Sequence, residues 1–201
     1  MKKAAPLISY LFHPLIMPSL GLLIILNSGT YLALLDPAAK RAIMLVMALG
    51  TLIFPLMMLP VLQYRTLILK NGQEATKEER LVPQVIVLVL YIITFVYFKR
   101  LPLSQVIHAY VLSVAGTFFL VILVNLKFRI SIHTAALGGL TGLIIALIFL
   151  YETPLQGLLM LTLLAAGLTG SSRLAQGDHW GAILSGFFLG LAVVLFTILV
   201  Y

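Results

Sequence analysis

The chain has 201 residues, 62% of them hydrophobic and 9% charged, where a soluble domain carries about 45–50% apolar and about 25% charged residues. With several apolar runs near 20 residues, this composition excludes a soluble globular domain and a disordered chain, and the absence of cysteine excludes a disulfide-stapled fold. What remains is a polytopic helical membrane protein forming one domain over residues 1–201, in which 13 Lys+Arg and 6 Asp+Glu each need a reason to sit in or beside a bilayer.

Lys2 and Lys3 lead into an apolar run over about residues 7–26, interrupted by His13, Pro14 and Pro18. No small-residue cleavage site follows a short apolar region, so the run reads as a retained first helix, bent or re-entrant at its prolines. A second run covers about 42–64, with Pro55 and Pro60 expected to kink it. A polar loop over 65–81 carries Arg65, Lys70, Glu74, Lys77, Glu78, Glu79 and Arg80. Further runs lie at about 82–98, 104–126, 134–151, 154–170 and 181–201, separated by short hinges. None alternates with period two, and all exceed the about 9–11 residues of a barrel strand. The predicted fold is therefore an all-α transmembrane bundle of about seven helices. Gly138, Gly139 and Gly142 in the fifth run and Gly186 and Gly190 in the seventh predict close helix packing within the subunit.

With seven crossings, alternate connections share a face. One face receives Lys2, Lys3, Arg65, Lys70, Lys77, Arg80, Lys127, Arg129 and Arg173; the other receives Lys40, Arg41, Lys99 and Arg100. The more basic face also holds His133 and His179. Cations and imidazoles converging from separate connections suit a phosphate group: the cations neutralise its oxygens, and the imidazoles attack and protonate near neutral pH. The bland reading of the same charges is topogenic, following the positive-inside rule. Lys127 and Arg129 are assigned to lipid headgroups and Trp180 to an interfacial anchor. His13 and His108 lie inside apolar runs and are expected to make one interhelical hydrogen bond each, outside the site.

Two local patterns carry a resemblance. Ser172-Arg173-Leu-Ala-Gln-Gly-Asp-His179 is Ser-Arg, five residues, His, and Arg129-Ile130-Ser131-Ile132-His133 contains Ser-x-His. Together with the basic loop of Lys70, Lys77 and Arg80, these resemble the three signatures of the type 2 phosphatidic acid phosphatase (PAP2) and haloperoxidase superfamily. Isoleucines replace the Pro and Gly of that family's Pro-Ser-Gly-His, and Pro83 stands three residues beyond Arg80 rather than next to it. The family pattern also has an Asp four residues after the last His, where this chain has Ile183.

The resemblance implies a PAP2-like core over about residues 65–195 within the bundle, a six-helix arrangement being compatible with the family, and a phosphate pocket at the membrane surface. It implies hydrolysis of a lipid phosphomonoester or polyprenyl diphosphate with no metal and no cofactor. His179 would be the nucleophile, forming a phosphohistidine, and His133 would protonate the leaving group. Arg173, Arg80, Lys77 and Lys70 would hold the phosphate oxygens. Ser131 would add a hydroxyl or a backbone N–H. Asp178 is expected to cap the last helix, whose positive end would face the anion. The expected partners are membrane lipids and the phosphorylated lipid itself, not nucleic acid, in a bacterial inner membrane. Two rival readings are a degenerate member that binds anionic lipid without turnover, and a small transporter using His13 and His108. The lack of an internal repeat and of acids within the spans argues against transport.

Overall fold

The computed structural model describes residues 12–58 and 77–201, with side chains described from residue 81 in the second stretch. Those residues form an all-α bundle: α1 (Met17–Asn27), α2 (Pro37–Met58), α3 (Lys77–Lys99), α4 (Gln105–Asn125), α5 (Ile132–Tyr151), α6 (Gln156–Ala175) and α7 (Trp180–Val200). From α2 to α7, each helix is long and apolar enough to cross a membrane. Val85, Val89, Ile92 and Val96 of α3 and Leu161, Leu164 and Leu168 of α6 face outward, as expected where the surrounding solvent is lipid.

The predicted first helix is shorter than its run. α1 begins only at Met17, with Pro18 in its first turn, and its 11 residues rise about 16 Å. The segment nevertheless covers the length of the bundle. His13 packs on His133 at the start of α5, and Tyr31 packs on Tyr151 at its end, both with ring centroids 5.9 Å apart. Turns on either side of α1, with a 3-10 helix over Tyr31–Leu34, supply the missing length. The first traverse is thus a short helix between two turns.

α2 starts five residues before its predicted boundary because Asp36 caps it. The Asp36 carboxylate accepts from the N–H groups of Ala38 and Ala39 at 2.8 and 3.3 Å, and Pro37 fits the first helical position. Lys40 then bonds the carbonyl of Ala33 at 2.8 Å, so its charge does not end the helix. Pro55 has no N–H for the turn before it, and α2 widens there into a π turn at Leu49–Ile53. The freed carbonyl of Thr51 accepts from the Tyr91 hydroxyl at 3.5 Å. Pro60 lies outside the described residues.

α5 is the central helix, with buried residues on all sides. Its tightest neighbour is α7, which runs parallel to it. A Cβ at Gly138 would lie 2.0 Å from the carbonyl oxygen of Phe187, and one at Gly190 would lie 1.9 Å from that of Ala135. The glycines thus bring two backbones into direct contact inside one subunit, as their spacing predicts. This contact fixes the start of α5 against the start of α7, and both residue patterns singled out in the sequence lie there.

Candidate functional site

Ser131 precedes α5, and its backbone N–H donates to the carbonyl of Ala182 in α7 at 2.9 Å. One turn on, the Thr134 hydroxyl donates to the carbonyl of Ile183 at 2.9 Å. On the other side, Asn125 at the end of α4 accepts the N–H of Ile130 at 2.8 Å through its side-chain oxygen. The connection between α4 and α5 is therefore held at both ends. Since the Ser131 N–H is already spent, only its hydroxyl is left for the expected role at a phosphate. That Oγ is buried and has no hydrogen-bond partner among the described residues.

The second pattern folds as the end of a helix. Arg173 lies in the last turn of α6, not in a hinge, because the hydroxyl of Ser171 bonds the carbonyl of Gly167 at 2.9 Å and the polar residues continue the helix. Gly177 follows at φ +98°, a conformation that glycine adopts without steric cost. Its N–H donates to the carbonyl of Leu174, and the N–H of Asp178 donates to that of Arg173, both at 3.0 Å. This is a Schellman closure, which reverses the chain and turns Asp178 back over the last turn.

Asp178 consequently does not cap α7. Its carboxylate accepts from Nε of Arg173 at 2.8 Å, with the Asp178 side chain only 7% exposed and that of Arg173 24%. Gln176 takes Nη1 of the same guanidinium at 3.0 Å. The cap position of α7 belongs to His179, whose side chain makes no capping bond and is exposed.

The two patterns meet through electrostatics. The Arg173–Asp178 pair lies within electrostatic range of the partly buried imidazole of His133. The rings of His13 and His133 stand 80° to one another. His13 was expected to lie outside the site with an interhelical hydrogen bond; instead its Nδ1 accepts locally from the N–H of Leu15 at 3.3 Å, and its ring faces His133. The available signal was its place in an apolar run, where any ionisable residue is a functional candidate. His108 does behave as expected: its Nε2 bonds the carbonyl of Phe98 in α3 at 2.9 Å, at the opposite end of the bundle.

The other predicted residues are distributed as follows. Among the described residues, no hydrogen bond, ion pair or ring contact joins His179 to His133 or Arg173. Ile183, where the resemblance implies an Asp, is buried and packs its Cγ2 toward Gly170 of α6. Lys77 and Arg80 belong to the opening turn of α3 rather than to a loop, and their side chains are outside the described set. α3 runs antiparallel to α4, with Tyr91 on Phe118 and Phe98 beside His108, so that opening turn lies at the His133 end. Lys70 falls outside the described residues, as does Glu74. Lys127 and Arg129 are exposed on the connection between α4 and α5.

Beside the histidine pair lies an apolar cavity of about 50 Å³. Pro14, next to His13, and Ile132, next to His133, line it, and Tyr110, Thr117, Ala136 and Leu140 extend it into the bundle. The arrangement as a whole is a charged and imidazole-bearing end with apolar space behind it. Comparison with protein-family models, with curated proteins and with solved structures returns no match to this chain.

Proposed function

We propose that the protein is a membrane lipid-phosphate phosphatase, acting on a lipid phosphomonoester or a polyprenyl diphosphate at the His133 end of the bundle. The observation that carries this reading is that Arg173, in the last turn of α6, and His133, in the first turn of α5, share one end of the bundle within electrostatic range of each other. A guanidinium binds phosphate oxygens in a fork, and an imidazole carries protons near neutral pH. The resemblance of Ser-Arg-x5-His to the PAP2 superfamily assigns the reaction type.

In this reading His179 attacks the terminal phosphorus, its bond to the leaving oxygen breaks (the lipid alcohol of a monoester, the bridging oxygen of a diphosphate), and His133 gives that oxygen its proton. Water then cleaves the phosphohistidine, leaving hydroxyl on phosphorus and returning a proton to His133. Arg173, with Arg80, Lys77 or Lys70 from the preceding connection and α3, offsets the charge on the equatorial oxygens. The positive ends of α5 and α7 face the same space. The substrate's apolar tail in this reading stays in the bilayer against the outward-facing apolar side chains, and the membrane is a bacterial inner membrane. The test is phosphate release from phosphatidic acid by the purified protein, with Arg173→Ala and His179→Ala as controls.

A second reading has its own support: Arg173 is held by Asp178 and Gln176, and His179 has no orienting partner among the described residues. Both suit a protein that binds anionic lipid without turnover. It predicts Arg173-dependent retention of phosphatidic acid with no phosphate released, so the same assay separates the two.

A further inference from the structure

The ring that faces His133 comes from neither residue pattern. His13 sits in the turn before α1, where three local features immobilise it. Its carbonyl accepts from the N–H of Ile16 at 2.9 Å, its Nδ1 accepts from the N–H of Leu15 at 3.3 Å, and Pro14 fixes the backbone between them. The second bond places the proton of the neutral ring on Nε2. Further along, the Tyr110 hydroxyl donates to the carbonyl of Pro18 at 3.0 Å and ties the segment to α4.

His133 has the opposite character. It lies in the first turn of α5 and makes no hydrogen bond among the described residues. Rotation of an imidazole about its last side-chain torsion is broad unless something holds it. What stands against it is the His13 ring, at a centroid separation of 5.9 Å and 80° between planes, a geometry in which aromatic edges and faces attract.

We propose that His13 is a positioning residue for His133: its pinned ring holds the His133 imidazole in the plane from which one nitrogen reaches the leaving oxygen. The proposal rests on the reading of His133 as proton donor given above. His13 itself touches no reacting atom and neither gains nor loses a proton. Small misplacements of a reacting group cost up to about a hundredfold in rate. Loss of the His13 ring is therefore expected to lower kcat by about ten- to a hundredfold, with KM within about twofold.

Two variants and one spectrum test this. His13→Ala removes the ring, whereas His13→Phe keeps an aromatic edge without its nitrogens and is expected to retain kcat within about fivefold of the parent. Histidine-selective 15N and 1H spectra of the full chain in detergent are expected to show a contact between the His13 and His133 rings. They should show one ring orientation of His133, its resonances shifted by the His13 ring, in the parent and rotationally averaged resonances in His13→Ala. Unchanged kcat in His13→Ala, a Phe variant as impaired as the Ala variant, or His133 resonances indifferent to His13 would each overturn the proposal. Should neither variant fold, absence of the ring contact in the parent spectrum overturns it. If the parent protein releases no phosphate, the phosphatase reading fails by itself, and the spectra still decide whether His13 sets His133.

Discussion

Arg173 and Asp178 form an ion pair across the turn that ends α6, Nε to Oδ2 at 2.8 Å. The cation assigned to the substrate phosphate is thus already holding an anion supplied by its own chain. The Asp178 side chain is 7% exposed and that of Arg173 24%, which leaves part of the guanidinium open to an incoming anion. A phosphate arriving at Arg173 competes with Asp178 or shares the guanidinium with it. Asp178→Asn keeps the turn and removes the competitor. Inorganic phosphate titrated into the solubilised variant is expected to bind about three- to tenfold tighter than to the parent; equal affinity would mean that Asp178 does not compete.

The α5–α7 contact makes a sharp prediction about stability. Gly190→Ala puts a methyl group against the carbonyl of Ala135, where backbone has to move. Gly167→Ala on α6 meets nothing within 4 Å. Overpacking costs about 1–3 kcal/mol, whereas a Gly-to-Ala change in an open helical position stabilises by up to about 1 kcal/mol. Thermal unfolding in detergent should therefore fall clearly for the first variant and hold or rise for the second. Matched melting points would show that the helices are not in backbone contact.

The glycines also show what was legible in the sequence. Apolar runs and small-residue spacing gave the all-α bundle, its order and close packing within the subunit, because these depend on local composition; that the fifth and seventh runs are the ones that meet was not legible. Boundaries were less legible. Ser171 and Ser172 read as a hinge but continue α6, Ser171 by bonding the Gly167 carbonyl of its own helix, and Asp36 starts α2 ahead of its apolar run. In the site, Arg173 and His133 could be placed on one face by counting crossings. The role of Asp178 could not be placed, since it depends on the reversal at Gly177, and neither could the partner of His13, which depends on how the first segment lies along α5.

Tyr110 ties that first segment down. Its hydroxyl donates to the carbonyls of Pro18 and, at 3.4 Å, Met17, and Gly21 leaves room for it: a Cβ there would lie 2.0 Å from the hydroxyl oxygen. Tyr110→Phe is expected to cost about 0.5–1.5 kcal/mol. Gly21→Ala should cost more, because the ring itself is displaced. Proteolysis near residue 13 in detergent, rising from parent to Tyr110→Phe to Gly21→Ala, is the expected order; equal rates in all three would remove Tyr110 as the tether.

Ile183 separates this site from the pattern it resembles. Restoring the carboxylate with Ile183→Asp would bury a charge beside Gly170 instead of placing it at His179. The expected result is a loss of several kcal/mol in stability with no gain in rate. A stable, faster Ile183→Asp protein would show that the last helix turns differently from the geometry described.

The most direct test of the account is phosphate release from phosphatidic acid by the purified chain and by its Arg173→Ala and His179→Ala variants. Losing either the oxygen-binding cation or the nucleophile should lower the rate by about 10³-fold or more, while both variants keep the parent's helical content. Release that is unchanged in His179→Ala, or absent from the parent itself, would contradict the assignment of this end of the bundle as a phosphatase site.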